Sequence, residues 1–127
     1  MSRMIDIVDL LNWAFHDELV ETSNTPPGDA LTVYWAVMAL PEPFGGIVRH
    51  YARIGTAPNW CAEKTRIVYL AKVRHDRRTY SQWHRALTVL QRSLSGAMAD
   101  HVAYGPTVAE EPWSIGRPPS RTDRQAL

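Results

Sequence analysis

Cysteine, long apolar runs and the common catalytic motifs are scarce or missing in this chain of 127 residues. Cys61 is its only cysteine, so no intrachain disulfide can form, and a reducing compartment is expected. The longest apolar stretch runs from Ala30 to Leu40 and is broken only by Thr32, whereas a bilayer span needs about 20 residues. Acidic residues at positions 6 and 9 do not fit a secretory signal. We therefore expect a cytoplasmic protein with no membrane partner.

Motifs for catalysis and metal binding are equally scarce. The sequence contains no glycine-rich phosphate loop, no paired-cysteine motif and no His-Glu-x-x-His. Its five histidines are scattered, and no two lie three to five residues apart, the spacing of a local metal pair. A non-enzymatic function without metal or cofactor is therefore favoured.

Apolar residues recur at the spacings of three and four that are typical of amphipathic helices, as at Val8, Leu11 and Phe15, and no convincing alternation of period two is present. The sequence therefore predicts an all-α fold: a single compact domain of five to six short helices in residues 1–104, followed by an extended or disordered tail over residues 105–127. The expected helices cover about residues 5–21, 29–40, 47–54, 59–74, 79–96 and 97–104.

Local signals place several helix ends. Asp29 is expected to cap the second helix, because its carboxylate can accept from the free amides of the first turn. Gly55 is expected to end the third helix in the left-handed conformation. Thr79 and Gln82 have the spacing of a capping box and predict the start of the fifth helix.

The tryptophans suggest both a core and a contact point. Four of them fall one in each of four predicted helices, and we expect them to be large parts of a shared core. These four are Trp13, Trp35, Trp60 and Trp83. Trp113 lies in the polar tail without a local reason for burial, so it is a candidate partner-binding residue.

Charge is segregated along the chain, although the formal net charge is only +1. Residues 1–48 carry a net charge of −6, residues 49–95 carry +8, and the remainder carries −1. Such asymmetry favours nucleic acid or an acidic protein surface as the partner. The alternative is that the acidic and basic segments neutralise each other within the fold.

Arginines on and before the fifth predicted helix form the candidate nucleic-acid surface. Arg85 and Arg92 are seven residues apart and thus share one helix face, and guanidinium groups suit phosphate because they donate two parallel hydrogen bonds. We predict a small non-enzymatic regulatory protein that binds nucleic acid, with DNA favoured over RNA. The predicted contact residues are Lys64, Arg66, Arg74, Arg77, Arg78, Arg85 and Arg92.

Residues 47–74 resemble a helix-turn-helix unit in their order. A short helix ends at Ile54, the turn covers residues 55–58, and a second helix is expected from about Trp60. In such a unit the early residues of the second helix enter the major groove, which would place Lys64 and Arg66 near the bases.

A different alternative is enzymatic. Arg78 and His84 are separated by five residues, which resembles the Arg-x(4–6)-His pattern of the HEPN ribonucleases, helical dimers that cleave RNA without a metal. The resemblance covers seven residues. It implies that His84 handles the proton of the attacking 2′-hydroxyl and that Arg78 stabilises the phosphorane, a role that suits imidazole chemistry near neutral pH.

The remaining alternative is a protein-interaction module or inhibitor of the kind that mobile genetic elements encode. The opposed charges and Trp113 fit this class as well, since the acidic first helix could mimic nucleic acid toward a basic partner. The sequence leaves the oligomeric state open. A C₂ homodimer is the commonest arrangement for small oligomers, and it would double the basic surface.

Overall fold

A computed structural model describes residues 2–60 and 70–114 of the chain. Within those residues the elements, in chain order, are strand β1 (Arg3–Asp6), helix α1 (Ile7–Asn12), a π-helical turn (Trp13–Asp17), helices α2 (Gly28–Met38), α3 (Phe44–Ile54) and α4 (Leu70–Ser93), strand β2 (His101–Tyr104) and a 3₁₀ turn (Pro112–Ser114). The described part is mostly helical, as expected. The strict all-α prediction is wrong because it omits the sheet, and four α-helices stand there instead of five to six.

The N-terminal segment starts as a strand and not as the helix predicted from residue 5. Strand β1 pairs in parallel with β2, with Arg3 opposite His101. This ladder joins segments that are distant in sequence, so the local spacing of apolar residues cannot reveal it. Asp6 then caps α1, because its carboxylate accepts the amide of Val8 at 2.8 Å.

Helix α1 passes directly into the π-helical turn, which ends well before residue 21. The amide of Glu18 donates to the carbonyl of Trp13 at 2.8 Å, the wider bonding step of a π-helix. Leu19 follows with φ of 51°, a left-handed conformation that no longer continues the helix. The first predicted helix is therefore real in its middle part and shorter at both ends.

Asp29 does not cap α2, although the helix begins where the sequence predicts. The helix starts at Gly28 after Pro27, and no side chain caps it. The Asp29 carboxylate instead accepts the amides of Ala99 and Asp100, both at 2.9 Å. The cap prediction failed because these distant amides compete for the same oxygens as the local ones.

Helix α3 confirms the predicted stop at Gly55. This glycine has φ of 80° and donates its amide to the carbonyls of Tyr51 and Ala52. The helix begins at Phe44, three residues earlier than expected from Ile47. A side chain at position 55 would also approach the His16 ring to 3.2 Å, so both conformation and space favour glycine here.

Helix α4 is one continuous element across the predicted break at residues 75–78. Thr79 and Gln82 lie inside the helix and do not form a capping box at its start. No glycine or proline interrupts residues 70–93, so nothing local stops the helix, and Lys72 supports it by an ion pair with Asp76 at 2.9 Å. The predicted fourth helix falls largely on residues 61–69, outside the described residues.

The predicted sixth helix is wrong, because residues 101–104 form β2. The segment after β2 packs against the rest of the fold as far as it is described. Thr107 donates its amide to Asp6 at 2.9 Å, and Tyr80 donates its hydroxyl to the carbonyl of Ala109 at 2.9 Å. Of the predicted tail, residues 115–127 lie outside the described residues.

The core lies between α1, α2, α3 and the second half of α4. Its largest fully buried side chains include Ile7, Leu10, Val33, Val48 and Leu87. Burying such residues stabilises the fold by about 1.5–3 kcal/mol each.

The expected tryptophan core is correct only in part. Trp83 is buried, and Trp13 and Trp60 pack partly against the core. Trp35 is 64% exposed, since it leaves α2 on the side opposite Val33 and Val37.

Candidate functional site

The acidic N-terminal third neutralises the basic region only in part. Glu21 accepts two hydrogen bonds from Arg53, both at 2.6 Å, and Glu42 pairs with Arg49 at 3.1 Å. Both arginines belong to α3. Other N-terminal carboxylates serve the fold itself, as Asp6 and Asp29 do. Among the described residues, the acidic N-terminal third therefore neutralises arginines of α3 but none of those on α4.

Helix α4 carries an exposed row of four arginines. With about 100° of rotation per residue, all four leave the helix within a sector of about 40°, opposite the buried side chains such as Trp83 and Leu90. The row extends for about 27 Å along the helix axis at 1.5 Å per residue. The residues of this arginine row are Arg74, Arg78, Arg85 and Arg92.

None of the four arginines in the row forms an ion pair with another described residue. Their charges therefore face outward without a local counterion from residues 2–60 and 70–114. From the sequence, only Arg85 and Arg92 are predicted to share a helix face, because a helix break is predicted before Thr79. The spacings of 4, 7 and 7 would have revealed the full row once the helix was taken as continuous.

Arg77 does not belong to the row, although it was predicted as a contact residue. Its guanidinium lies over the ring of Trp113, 5.3 Å from the ring centre. Trp113 also contacts Tyr80, with ring centres 5.8 Å apart, and Trp60 at 6.3 Å. The half-buried Trp113 therefore already has partners within its own chain, and its binding to another molecule stays a prediction.

Lys64 and Arg66 lie outside the described residues, together with most of the expected second helix of the helix-turn-helix unit. The described part of that unit comprises α3, the left-handed Gly55 that ends it, residues 56–60 and residues 70–74, which belong to α4. The helix-turn-helix resemblance consequently stays a prediction.

Arg78 and His84 lie on the same helix but do not share a face. Six residues of α-helix separate their directions by about 120°. The Nε2 atom of His84 lies 3.0 Å from the carbonyl of Val108. Since a carbonyl can only accept, Nε2 must carry the proton, and Nδ1 is the nitrogen left for proton transfer in the neutral ring. The structure of one chain therefore does not bring the two groups of the ribonuclease pattern together.

Asp29 and His101 form a buried polar pair that was not predicted from the sequence. His101 donates from Nδ1 to Asp29 at 2.6 Å, and both side chains are buried. The second ring nitrogen, Nε2, is buried and has no hydrogen-bond partner among the described residues. Trp13 covers the pair, with its ring centre 4.8 Å from that of His101. The position of this pair between α2 and β2 makes it structural.

The outer face of α2 is apolar and exposed. Leu31, Trp35 and Met38 follow one another at spacings of four and three residues, and all three are exposed large side chains. Although α2 is apolar on nearly every side, it is only half covered, since it buries only the side that carries Ala30, Val33 and Val37.

The part of the chain that the structure describes contains neither a cluster suited to a metal ion nor a helix suited to crossing a membrane. No cluster of three or more histidine, cysteine, aspartate or glutamate side chains is placed to hold a metal ion in that part of the chain. No helix there has the length and apolar character that crossing a membrane requires.

No protein-family model, no curated protein and no solved structure matches this chain. The proposals below therefore rest on its own geometry and charge.

Proposed function

We propose that this chain is a small non-enzymatic protein that binds nucleic acid through the arginine row of α4. The observation that supports the proposal is the row itself: four guanidinium groups on one exposed helix face, unpaired among the described residues. Phosphate contacts of this kind supply most of the affinity that does not depend on sequence. A regulatory role, a preference for DNA and a cytoplasmic location belong to the proposal as well.

The row alone favours positioning on a phosphate backbone over base reading. Its side chains are all arginine, and they lie in a nearly straight line along a single helix. Arginine can read guanine edges in the major groove, but reading adenine or cytosine takes side chains such as asparagine, glutamine or glutamate, which the row lacks. We therefore expect binding with weak sequence preference from α4, unless Lys64 and Arg66 add specific contacts.

Salt dependence tests the proposal quantitatively. If the four arginines neutralise four phosphates, the logarithm of the binding constant should fall with the logarithm of salt concentration at a slope of about −3 to −4. Fluorescence anisotropy of labelled oligonucleotides across a salt series measures the slope. Arg85→Ala should reduce its magnitude by about 1.

The matched control is Arg53→Ala, which removes the same charge from an arginine that is already paired with Glu21. It should leave the slope nearly unchanged. Equal losses in the two variants would contradict the assignment to the row, and absence of binding to DNA and RNA at low salt would contradict the proposed function.

A protein-interaction module is the second candidate, and the exposed face of α2 favours it. Tryptophan is enriched at interaction hot spots, and an uncharged Leu-Trp-Met stripe costs little to dehydrate. Self-association through this face would give a C₂ homodimer, an arrangement that the sequence leaves open. Sedimentation of the wild type and of Trp35→Ser tests this, with Ile54→Ser as the control at an exposed apolar residue of α3.

The ribonuclease alternative needs its own assay. Labelled RNA should be cleaved without added metal by the wild type and not by His84→Ala if the resemblance to HEPN enzymes reflects function. Intact RNA after incubation with the wild type would remove this alternative.

A further inference from the structure

An apolar hollow lies beside the arginine row, between α4 and the segment that leads into α3. It has a volume of about 210 Å³, and Arg85 is the one charged residue among the described residues that line it. We call it the Phe44 hollow. Its lining consists of Leu40, Pro41, Phe44, Arg85, Ala86 and Val89.

A wider polar hollow lies next along α4, on the side of Arg78. Its volume is about 490 Å³. The side chains that could form hydrogen bonds there are His50, Tyr51, His75, Thr79 and Gln82. Among the described lining residues, Glu42 supplies the one carboxylate. The amide of Gly46 and the guanidinium of Arg49 donate to it and together hold the pKa of Glu42 below its ordinary 4.5.

Both hollows follow the row at a fixed angular offset. Val89 leaves α4 about 40° from Arg85, and Gln82 leaves it about 40° from Arg78. Arg78 and Arg85 are about 10.5 Å apart along the axis. A polymer whose charges lie on the arginines would therefore run beside both hollows.

We propose that the arginine row and the Phe44 hollow together bind single-stranded nucleic acid, with phosphates on the arginines and one base stacked against Phe44. The inference rests on the proposed function and specifies the form of its ligand. Arg85 contributes to both parts, because it belongs to the row and lines the hollow.

The chemistry of the hollow favours a single strand over a duplex. Its apolar walls can receive the flat face of a base but offer nothing to the edge of a base pair. Bases in a duplex are stacked and paired and cannot enter, whereas bases of a single strand are free to stack on aromatic side chains. A duplex would contact the row alone.

The test compares a single-stranded oligonucleotide with a hairpin duplex of the same base composition by fluorescence anisotropy at low salt. We expect the single strand to bind about tenfold more tightly, and Phe44→Leu to weaken single-strand binding about tenfold while duplex binding stays unchanged. Because Phe44 also packs against the core, a second variant is needed. Val89→Gln places a polar side chain at the exposed edge of the Phe44 hollow. Val102→Gln on β2 is its control, because Val102 has a similar exposure.

The outcomes separate this inference from the proposed function. Weaker single-strand binding in Phe44→Leu and Val89→Gln, with Val102→Gln unchanged, supports the inference. Equal binding of duplex and single strand, or unchanged binding in Val89→Gln, overturns it and leaves the arginine row intact as a phosphate-binding surface. Failure of both ligands to bind overturns the proposed function as well.

Discussion

Asp29 accepts three hydrogen bonds, from the amides of Ala99 and Asp100 and from the ring of His101. Burial by itself raises the pKa of this carboxyl group, but the bonds from His101, Asp100 and Ala99 outweigh burial and hold the pKa below its ordinary 3.8. The folded state therefore stabilises the charged form of the Asp29 side chain relative to the unfolded state. One carboxylate thus fastens the start of α2 to the segment that enters β2.

Asp29→Asn should lower the free energy of unfolding by about 3 kcal/mol at pH 6, because an amide cannot accept from all three donors and leaves buried groups unpaired. The stabilisation by the carboxylate is fully present above the unfolded pKa near 3.8 and is lost as the pH falls through the lower folded value. Urea unfolding at pH 6 and pH 3 should show the gap between variant and wild type narrowing in acid. A gap of equal size at both pH values would contradict this role.

Gly105 is placed where any side chain would collide with the fold. A Cβ atom there would lie 2.7 Å from the Asp6 carboxylate and 2.8 Å from the Thr107 amide, at φ of 86°. Gly105→Ala should therefore cost about 1–2 kcal/mol for the left-handed conformation and about as much again for the collision. Gly96→Ala is the control, because Gly96 has φ of 73° and open space around it. Thermal unfolding of both variants measures the difference, and equal losses would contradict the collision.

At the scale of an element, α4 differs most from its prediction. Thr79 and Gln82 have the spacing of a capping box. A capping box stabilises a helix that starts at that position, but its residue types do not force a helix to start there. The backbone amides of this region find their partners within the helix, so the caps are not needed. Residues that are adequate at a cap are also tolerated inside a helix when the apolar face continues, as it does through Tyr80 and Trp83.

Thr79→Ala distinguishes the two descriptions of α4. Loss of a cap costs about 1 kcal/mol, whereas alanine in place of threonine inside a helix raises stability by about 0.5 kcal/mol. We expect the small gain, measured by urea unfolding. Thr88→Ala serves as the reference for an interior threonine of α4, whose hydroxyl donates to the carbonyl of His84. Destabilisation by Thr79→Ala alone would indicate a helix start at residue 79.

The elements that could be predicted from the sequence are those set by neighbours in the chain. Gly55 ends α3 because the left-handed conformation is a local property of glycine, and the spacing of apolar residues located much of α1. The β1–β2 pair and the bonds of Asp29 could not be predicted, because their partners are distant in sequence. The sequence placed Arg85 and Arg92 on one helix face. It did not show that Arg74 and Arg78 share this face, because a helix break was predicted at residues 75–78.

At the scale of the molecule, the described charges are divided between two neighbouring helices. Helix α3 has Arg49 and Arg53 paired with glutamates of the N-terminal third, while the row on α4 has no such partner among the described residues. A formal net charge of +1 therefore coexists with four neighbouring arginines that have no ion pair among the described residues. Clustered charge of one sign attracts oppositely charged ligands even when the total charge of a protein is small.

Removal of residues 1–6 should lower the thermal midpoint by several degrees. The deletion removes the β1 ladder, the cap on Val8 and the acceptor of the Thr107 amide, a loss of at least about 2 kcal/mol. Met4→Lys is the control, since this side chain is exposed and the backbone ladder remains. Circular dichroism against temperature measures both, and a deletion variant as stable as Met4→Lys would contradict a structural role for β1.

The parallel pairing of β1 with β2 also sets an order in time. Residue 3 is synthesised before its partner at position 101, which follows roughly 5–20 s later at ordinary rates of synthesis. Until then the first strand has an open edge, the Asp6 carboxylate has no Thr107 amide, and Asp29 has neither of its two backbone donors. The N-terminal third therefore cannot complete its native contacts until residues 99–107 have been synthesised, so its folding ends only after these later partners are available.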